Sequence, residues 1–286
     1  MIHPAQENQL LQQAADALRS ADTLLIGAGA GAGVDSGLPD FRGPEGFWRA
    51  YPAFQGRRFA EISNPHWFRA DPEMAWGFFG HRLKLYRDTV PHSGFQLLSQ
   101  LLHRCPQPGF VFTSNVDGQF TKAGFDPLRI VEQHGSIHFL QCFNGCSQKT
   151  WAADDIHPDV DLARVRLRSP IPCCPDSGSV ARPNILIFGD DGWNEARWSE
   201  QAQRYHNWLN QMRGLRIVAI ELGAGTAIPT VRHECERVAE TVIRINPRDH
   251  QVPRHGIPIA MGALDALQRL HQLVFPEAPA GSSGQA

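Results

Sequence analysis

The sequence predicts a doubly wound, parallel α/β sheet with a smaller inserted domain. Three observations lead there. Short apolar runs alternate with helical patterns, glycines follow the first of those runs directly, and two stretches of different composition interrupt the alternation. The length agrees, because 286 residues suit one large domain plus an insertion. With 42% apolar and 20% charged residues, the chain can fill a core and keep a wetted surface, which excludes fibrous, disulfide-scaffold and disordered classes.

The elements follow in order. Residues 7–20 space Leu and Ala at helical intervals, and Thr23-Leu24-Leu25-Ile26 is a short buried strand running into glycines. Residues 95–103 read as a helix, 110–113 as a strand, 119–123 as a short helix and 129–132 as another strand. The strand pattern is expected to resume at 185–188, followed by a helix over 195–212, a strand over 216–221, a helix over 229–239 and a strand over 241–245. A strand at 257–260 and a helix over 263–273 complete it. Residues 43–91, rich in Trp, Phe and Pro, and residues 136–182, which hold most of the cysteines, read as insertions. The expected large domain is therefore about 1–42, 92–135 and 183–275, and the small one about 43–91 and 136–182. Residues 276–286 are Pro, Gly, Ser and Ala in the main, a composition expected to stay disordered.

A formal charge of −2 gives nucleic acid or an anionic membrane no reason to attract the whole molecule. No apolar run approaches the roughly 20 residues of a membrane span. The amino end lacks the basic-then-apolar order of a secretory signal, so a cytoplasmic protein is expected, and there cysteine clusters favour metal over disulfides.

Four segments carry chemistry. Gly27-Ala28-Gly29-Ala30-Gly31-Ala32-Gly33 follows the first strand, and small residues there let backbone N–H groups approach a pyrophosphate. Alone, this is equally a glycine turn. Ser36-Gly37-Leu38-Pro39-Asp40-Phe41-Arg42 then packs a turn, an acid, an aromatic and an arginine together, as a loop gripping a cofactor would. Thr113-Ser114-Asn115-Val116-Asp117 ends a strand, where Asn and Asp are also ordinary helix caps. In Gln133-His134-Gly135, a histidine at a strand end faces the carboxyl edge of the sheet, where ligands of such sheets bind and where an imidazole can take a proton near neutrality.

In that order these motifs resemble the sirtuin family of NAD-dependent protein-lysine deacylases, over about residues 23–273. The resemblance implies a Rossmann-like sheet with NAD held by Gly29, Ala30, Gly31, Asp40, Phe41, Arg42, Ser114, Asn115, Asp117, His134, Gly223, Gly225 and Asn246. It makes His134 the base and places Asn115 and Asp117 at the nicotinamide end. Leu186, Phe188 and Gly189 resemble the segment flanking the acyl-lysine tunnel, with Asp190 where the family has Glu. Gly33 stands where the family has serine, and Ser114 where it has glutamine. The implied reaction releases nicotinamide and O-acyl-ADP-ribose from an acylated-lysine protein. ADP-ribosyl transfer or NAD hydrolysis on the same fold, and a non-catalytic NAD sensor, are the alternatives.

The resemblance also implies a structural zinc. Cys142-x3-Cys146 supplies one pair, Cys174 falls on the third ligand position and Ser177 on the fourth. Cys173 is the expected fourth ligand, with His157 and loss of zinc as alternatives. Finally, Phe79 and Arg82 lie three apart in a helical segment, at what resembles the Tyr-x-x-Arg of members that remove acidic acyl groups. Phe79 lacks the hydroxyl, so weakened selection for succinyl beside acetyl groups is expected. The bland alternative is a solvated Arg82 beside a core Phe79.

Overall fold

The computed structural model describes residues 4–40 and 43–276. Its elements are α1 (Pro4–Ser20), β1 (Thr23–Ala28), a 3-10 segment (Ala30–Ser36), α2 (Gly43–Ala50), α3 (Phe59–Ile62), α4 (His66–Ala70), α5 (Pro72–Asp88), α6 (Gly94–Arg104), β2 (Phe110–Thr113), α7 (Gln119–Lys122), β3 (Ile130–Glu132) and β4 (Gly135–Cys142). There follow β5 (Thr150–Ala152), β6 (Val160–Asp161), β7 (Arg166–Leu167), β8 (Ala181–Ile185), α8 (Ala196–Gln211), β9 (Ile217–Leu222), α9 (Thr230–Val238), β10 (Thr241–Ile245), β11 (Ile257–Ile259) and α10 (Ala263–Val274).

Six strands form the expected parallel sheet in the order β11-β10-β9-β1-β2-β3. Every residue of β1, β2 and β9 is buried, as continuous apolar strands covered on both faces should be. From β1 the chain moves one way to β2 and β3 and later returns to the other side at β9. The crevice at the carboxyl ends of β1 and β9 is thus a topological switch point, where open α/β sheets bind ligands. Leu18, Leu98, Leu101, Leu267 and Leu270 cover one face, and Tyr205, Trp208, Val231 and Cys235 the other.

A second core gathers aromatic residues of α2–α5 around Trp76, Phe78 and Phe79, together with Ile137, Leu140 and Ile185 of a three-stranded antiparallel sheet ordered β5-β4-β8. Here the structure corrects the sequence. Residues 185–188 do not resume the parallel sheet: the strand is Ala181–Ile185, it pairs antiparallel with β4, and the chain is irregular from Leu186 onward. As an edge strand, β8 tolerates Pro183, and Gly189 at φ +68 turns the chain away. The carboxyl tail expected to be disordered lies, from residue 277, outside the described residues. No helix among the described residues is long and apolar enough to cross a membrane.

Candidate active site

The glycines after β1 serve chain packing first. A Cβ on Gly31 would sit 2.7 Å from the Cα of Gly223, and one on Gly29 would sit 2.7 Å from the Cα of Ala224. The loops after β1 and β9 therefore touch backbone to backbone. Gly29 N–H donates to the Leu222 carbonyl (2.9 Å) and Gly31 N–H to that of Gly223 (3.1 Å). These two amides, read from the sequence as pyrophosphate donors, are committed within the chain. A Cβ at Gly33 would press on the Leu38 side chain at 3.0 Å. Phe41 and Arg42 lie outside the described residues. Asp40 forms a 2.8 Å ion pair with Arg248 on the loop after β10, a partner that nothing in the sequence pattern points to.

Beyond β2 the polar groups converge. Ser114 N–H donates to the Ala28 carbonyl, and the Asn115 Nδ2 donates to that of Gly29 (3.0 Å), tying this loop to the one after β1. His134 directs Nδ1 at the Ser114 carbonyl (3.1 Å). A carbonyl only accepts, so the ring proton is on Nδ1 and Nε2 keeps its lone pair. Burial holds the His134 pKa below its ordinary value, against the opposing effect of the Ser114 bond, so the neutral, basic form prevails at pH 7. Gly135 explains the following glycine: the chain leaves the parallel sheet and enters β4 within one residue, at φ +73, with no room for a Cβ beside the Asn184 carbonyl.

Asp117 accepts from the Gln119 N–H (3.0 Å). Burial pushes its carboxyl up to about 6, opposed by that hydrogen bond and by the charge of Arg82. His138, which no motif singled out, donates Nε2–H to the Asp117 carbonyl (2.9 Å) and so fixes the loop next to the acid. Its only sequence signal was its spacing of four from His134. On the far side, Asn246 donates Nδ2–H to the Ala224 carbonyl and accepts from the N–H groups of Arg248 and Asp249. The amide expected at a ribose thus also ties the loop after β9 to that after β10. Gly223, at φ +56, and Gly225 lie in the first of these loops, and Ala30 opens the 3-10 segment facing it.

Arg82 is not a solvated helix residue. It is 6% exposed, it donates Nε–H and Nη2–H to the Tyr86 hydroxyl (3.1 and 3.0 Å), and its guanidinium lies 5.5–5.8 Å from the rings of Phe59, Phe78, Phe79 and Tyr86. Phe79 is wholly buried and stacks on Phe68. The hydroxyl missing at Phe79 comes from Tyr86, one helical turn beyond Arg82. Leu186 N–H bonds to the His134 carbonyl (2.9 Å), and Leu186 and Phe188 are each 39% exposed, leaving an open, irregular segment beside the histidine.

In the cysteine module, the thiols of Cys142, Cys146 and Cys174 lie within 4.8 Å of one another. Cys173, expected as fourth ligand, is not among them: its thiol turns to the Ile171 carbonyl at 3.3 Å. Of these adjacent cysteines, Cys174 is buried with the cluster while Cys173 is exposed and points away from it. Ser177 stands in the fourth place instead, its Oγ 3.6 Å from the Cys142 sulfur. Burial raises the Cys142 thiol, but N–H groups of Cys146 and Asn144 and the Ser177 hydroxyl outweigh it and bring it down to about 7. Three thiols so placed suit a tetrahedral zinc whose last position falls to a hydroxyl or water.

Fold and site together define a doubly wound α/β protein with a neutral histidine at the carboxyl end of its sheet, after β3. The Sir2 family model matches residues 29–209, and the chain belongs to that family. An NAD-dependent protein deacylase of Pyrococcus furiosus is 29% identical over 181 residues, 63% of this chain and 66% of that protein. The chain thus spans just under two thirds of that relative's length. A probable bifunctional ADP-ribose hydrolase/ADP-ribosyltransferase of Fusarium oxysporum f. sp. cubense is 29% identical over 232 residues, 77% of this chain and 38% of that one. A crystal structure of a Sir2 homologue–NAD complex has the same fold, with TM-score 0.67 at 21% identity, covering 92% of this chain and 93% of that one.

Proposed function

We propose that the protein is an NAD-dependent protein-lysine deacylase, and the observation that carries this is His134: half-buried, neutral, with its Nε2 lone pair free beside the open Leu186–Phe188 segment. The relatives named as deacylases support the reading. When bound, NAD would supply an electrophilic ribose carbon and nicotinamide as leaving group. Asp117, Asn115 and Ser114 would hold the nicotinamide end, while Asp40, Gly223, Gly225 and Asn246 would line the rest of the crevice with Phe41 and Arg42. His134 would accept a ribose hydroxyl proton at Nε2, a contribution of roughly 100-fold or more to the rate. An acylated lysine would lie along Leu186, Phe188 and Gly189. Division into a sheet domain and a small domain is supported by the separate cores, although Leu38, Ile185 and Ile187 of the expected large-domain segments pack in the second one. Six free cysteines suit a reducing, cytoplasmic setting.

Desuccinylation beside deacetylation belongs to the same proposal. Arg82, held by the Tyr86 hydroxyl, sets a positive charge inside an aromatic wall, which favours a carboxylate nearby. Arg82→Met should lower desuccinylation about 10-fold more than deacetylation, the worth of a hydrogen bond to a charged group. An equal fall in both would remove the acidic-acyl part.

The name of the Fusarium relative favours one second reading, transfer of ADP-ribose to protein. Mass-spectrometric product analysis with NAD and acyl-lysine peptides separates the two. Deacylation gives O-acyl-ADP-ribose only when acyl peptide is present, whereas ADP-ribosylated protein, or free ADP-ribose without acyl peptide, excludes it as the main activity.

A further inference from the structure

A cleft of about 380 Å³ opens where α4, the cysteine module and the loop after Leu186 meet. Its position follows outward from the histidine. Leu186 bonds to the His134 backbone, Phe188 N–H bonds to the Ser63 carbonyl (3.1 Å), and Gly189 forms part of the cleft wall. Even fully extended, three residues span at most about 10 Å, and the turn at Phe188–Gly189 shortens that. The cleft is therefore distinct from the cofactor crevice, yet within reach of side chains close to an acyl-lysine.

Its chemistry is that of an anion site. Arg182 lines it with a side chain 2% exposed; Nη2 donates to Asp190 (2.7 Å), while Nη1 is hidden from water and has no hydrogen-bond partner among the described residues. Leaving a buried donor unmade is costly, and a guanidinium with one edge satisfied is set to receive an acceptor on the other. Arg69 is exposed at the rim, 5.6 Å over the Phe143 ring, with no ion pair among the described residues, and His66 lies one turn before it. Asp190 is spent on Arg182 and on the N–H of Gly192. Asp191, on the rim, is the remaining acid.

We propose that this cleft receives the carboxylate of an acidic residue flanking the acyl-lysine in the substrate protein, with Arg69 and Arg182 as its partners. The proposal rests on the deacylase reading and adds a sequence preference to it. Arg82 is a separate matter, since it lies in the aromatic core on α5 and would meet the acyl chain itself.

The test is a set of acetyl-lysine peptides carrying one Asp, Asn or Lys at each of three positions on either side of the lysine. Binding is measured by calorimetry and turnover with NAD. At one position Asp should exceed Asn by about 10-fold in affinity and in kcat/KM, the worth of one charge-assisted contact. Arg69→Ala should erase that preference, and Arg69→Glu should invert it toward Lys. Equal handling of Asp and Asn at every position, or an Asp preference that survives Arg69→Glu, overturns the proposal. Asp-selective binding without O-acyl-ADP-ribose formation leaves the cleft standing and removes the deacylase reading. Failure of every peptide to bind removes both.

Discussion

His134 shows how a backbone contact and burial set a side chain's protonation form. With Nδ1–H given to Ser114 and the ring buried, protonation is disfavoured, so activity should fall as pH drops through a midpoint below 6.5. His134→Ala should keep the fold and lose about 100-fold or more in deacylation, along with the histidine part of that acid limb. Near-wild-type turnover by the folded variant would remove His134 from the mechanism. Asp117 carries the opposite sign in stability. Its folded pKa of about 6 stands above the ordinary 3.8, so the folded protein holds the proton more tightly, and this stability is present below pH 4 and lost as pH rises through 6. Asp117→Asn keeps an acceptor for Gln119 N–H and should stabilise the protein by about 1–3 kcal/mol at pH 8 but not at pH 4, at a cost in activity. Denaturant titrations at the two pH values check this; equal stability at pH 8 would show that the carboxylate is better solvated than its setting indicates.

At the scale of elements, the cysteine module is where tertiary placement overrides spacing. Cys142 ends β4, and Cys146 follows in the next turn. Cys174 reaches both from the turn that precedes β8. A zinc held by three thiols and Ser177 or water should be weaker than one held by four thiols. Ser177→Cys is therefore expected to slow loss of zinc to a chelator at least tenfold, while Cys173→Ser leaves it unchanged. Metal analysis during chelator challenge reads both. A loss of zinc in Cys173→Ser would restore the ligand set inferred from the sequence. Helix α5 teaches the same lesson, since its spacing gave the face shared by Phe79 and Arg82 but not the aromatic shell that buries it.

At the scale of the molecule, the two halves of the parallel sheet meet across glycines. Gly31→Ala would push a methyl into the Gly223 backbone, and a rigid contact of this kind cannot be relieved by a rotamer change. A loss of about 1–3 kcal/mol is expected, together with weaker NAD binding, since the crevice is formed by the same two loops. Thermal unfolding with and without NAD measures both; unchanged stability would mean that the loops can part without cost.

The sequence alone determined the parallel sheet, nearly all of its strands and helices, and the site segments around Asn115, Asp117 and His134. Apolar periodicity and strand-end motifs are local, and residues within one turn or strand end stay together in any fold that keeps the element. The tertiary structure alone decided that residues 181–185 pair with β4, that Cys173 points away from the thiol cluster, that Arg82 is buried against Tyr86, and that Arg248 holds Asp40 across 208 positions. It also showed that Gly29 and Gly31 are small because another backbone lies against them. Each of these depends on which distant segment arrives beside a residue and on how much water leaves with it. Spacing along the chain carries no record of either.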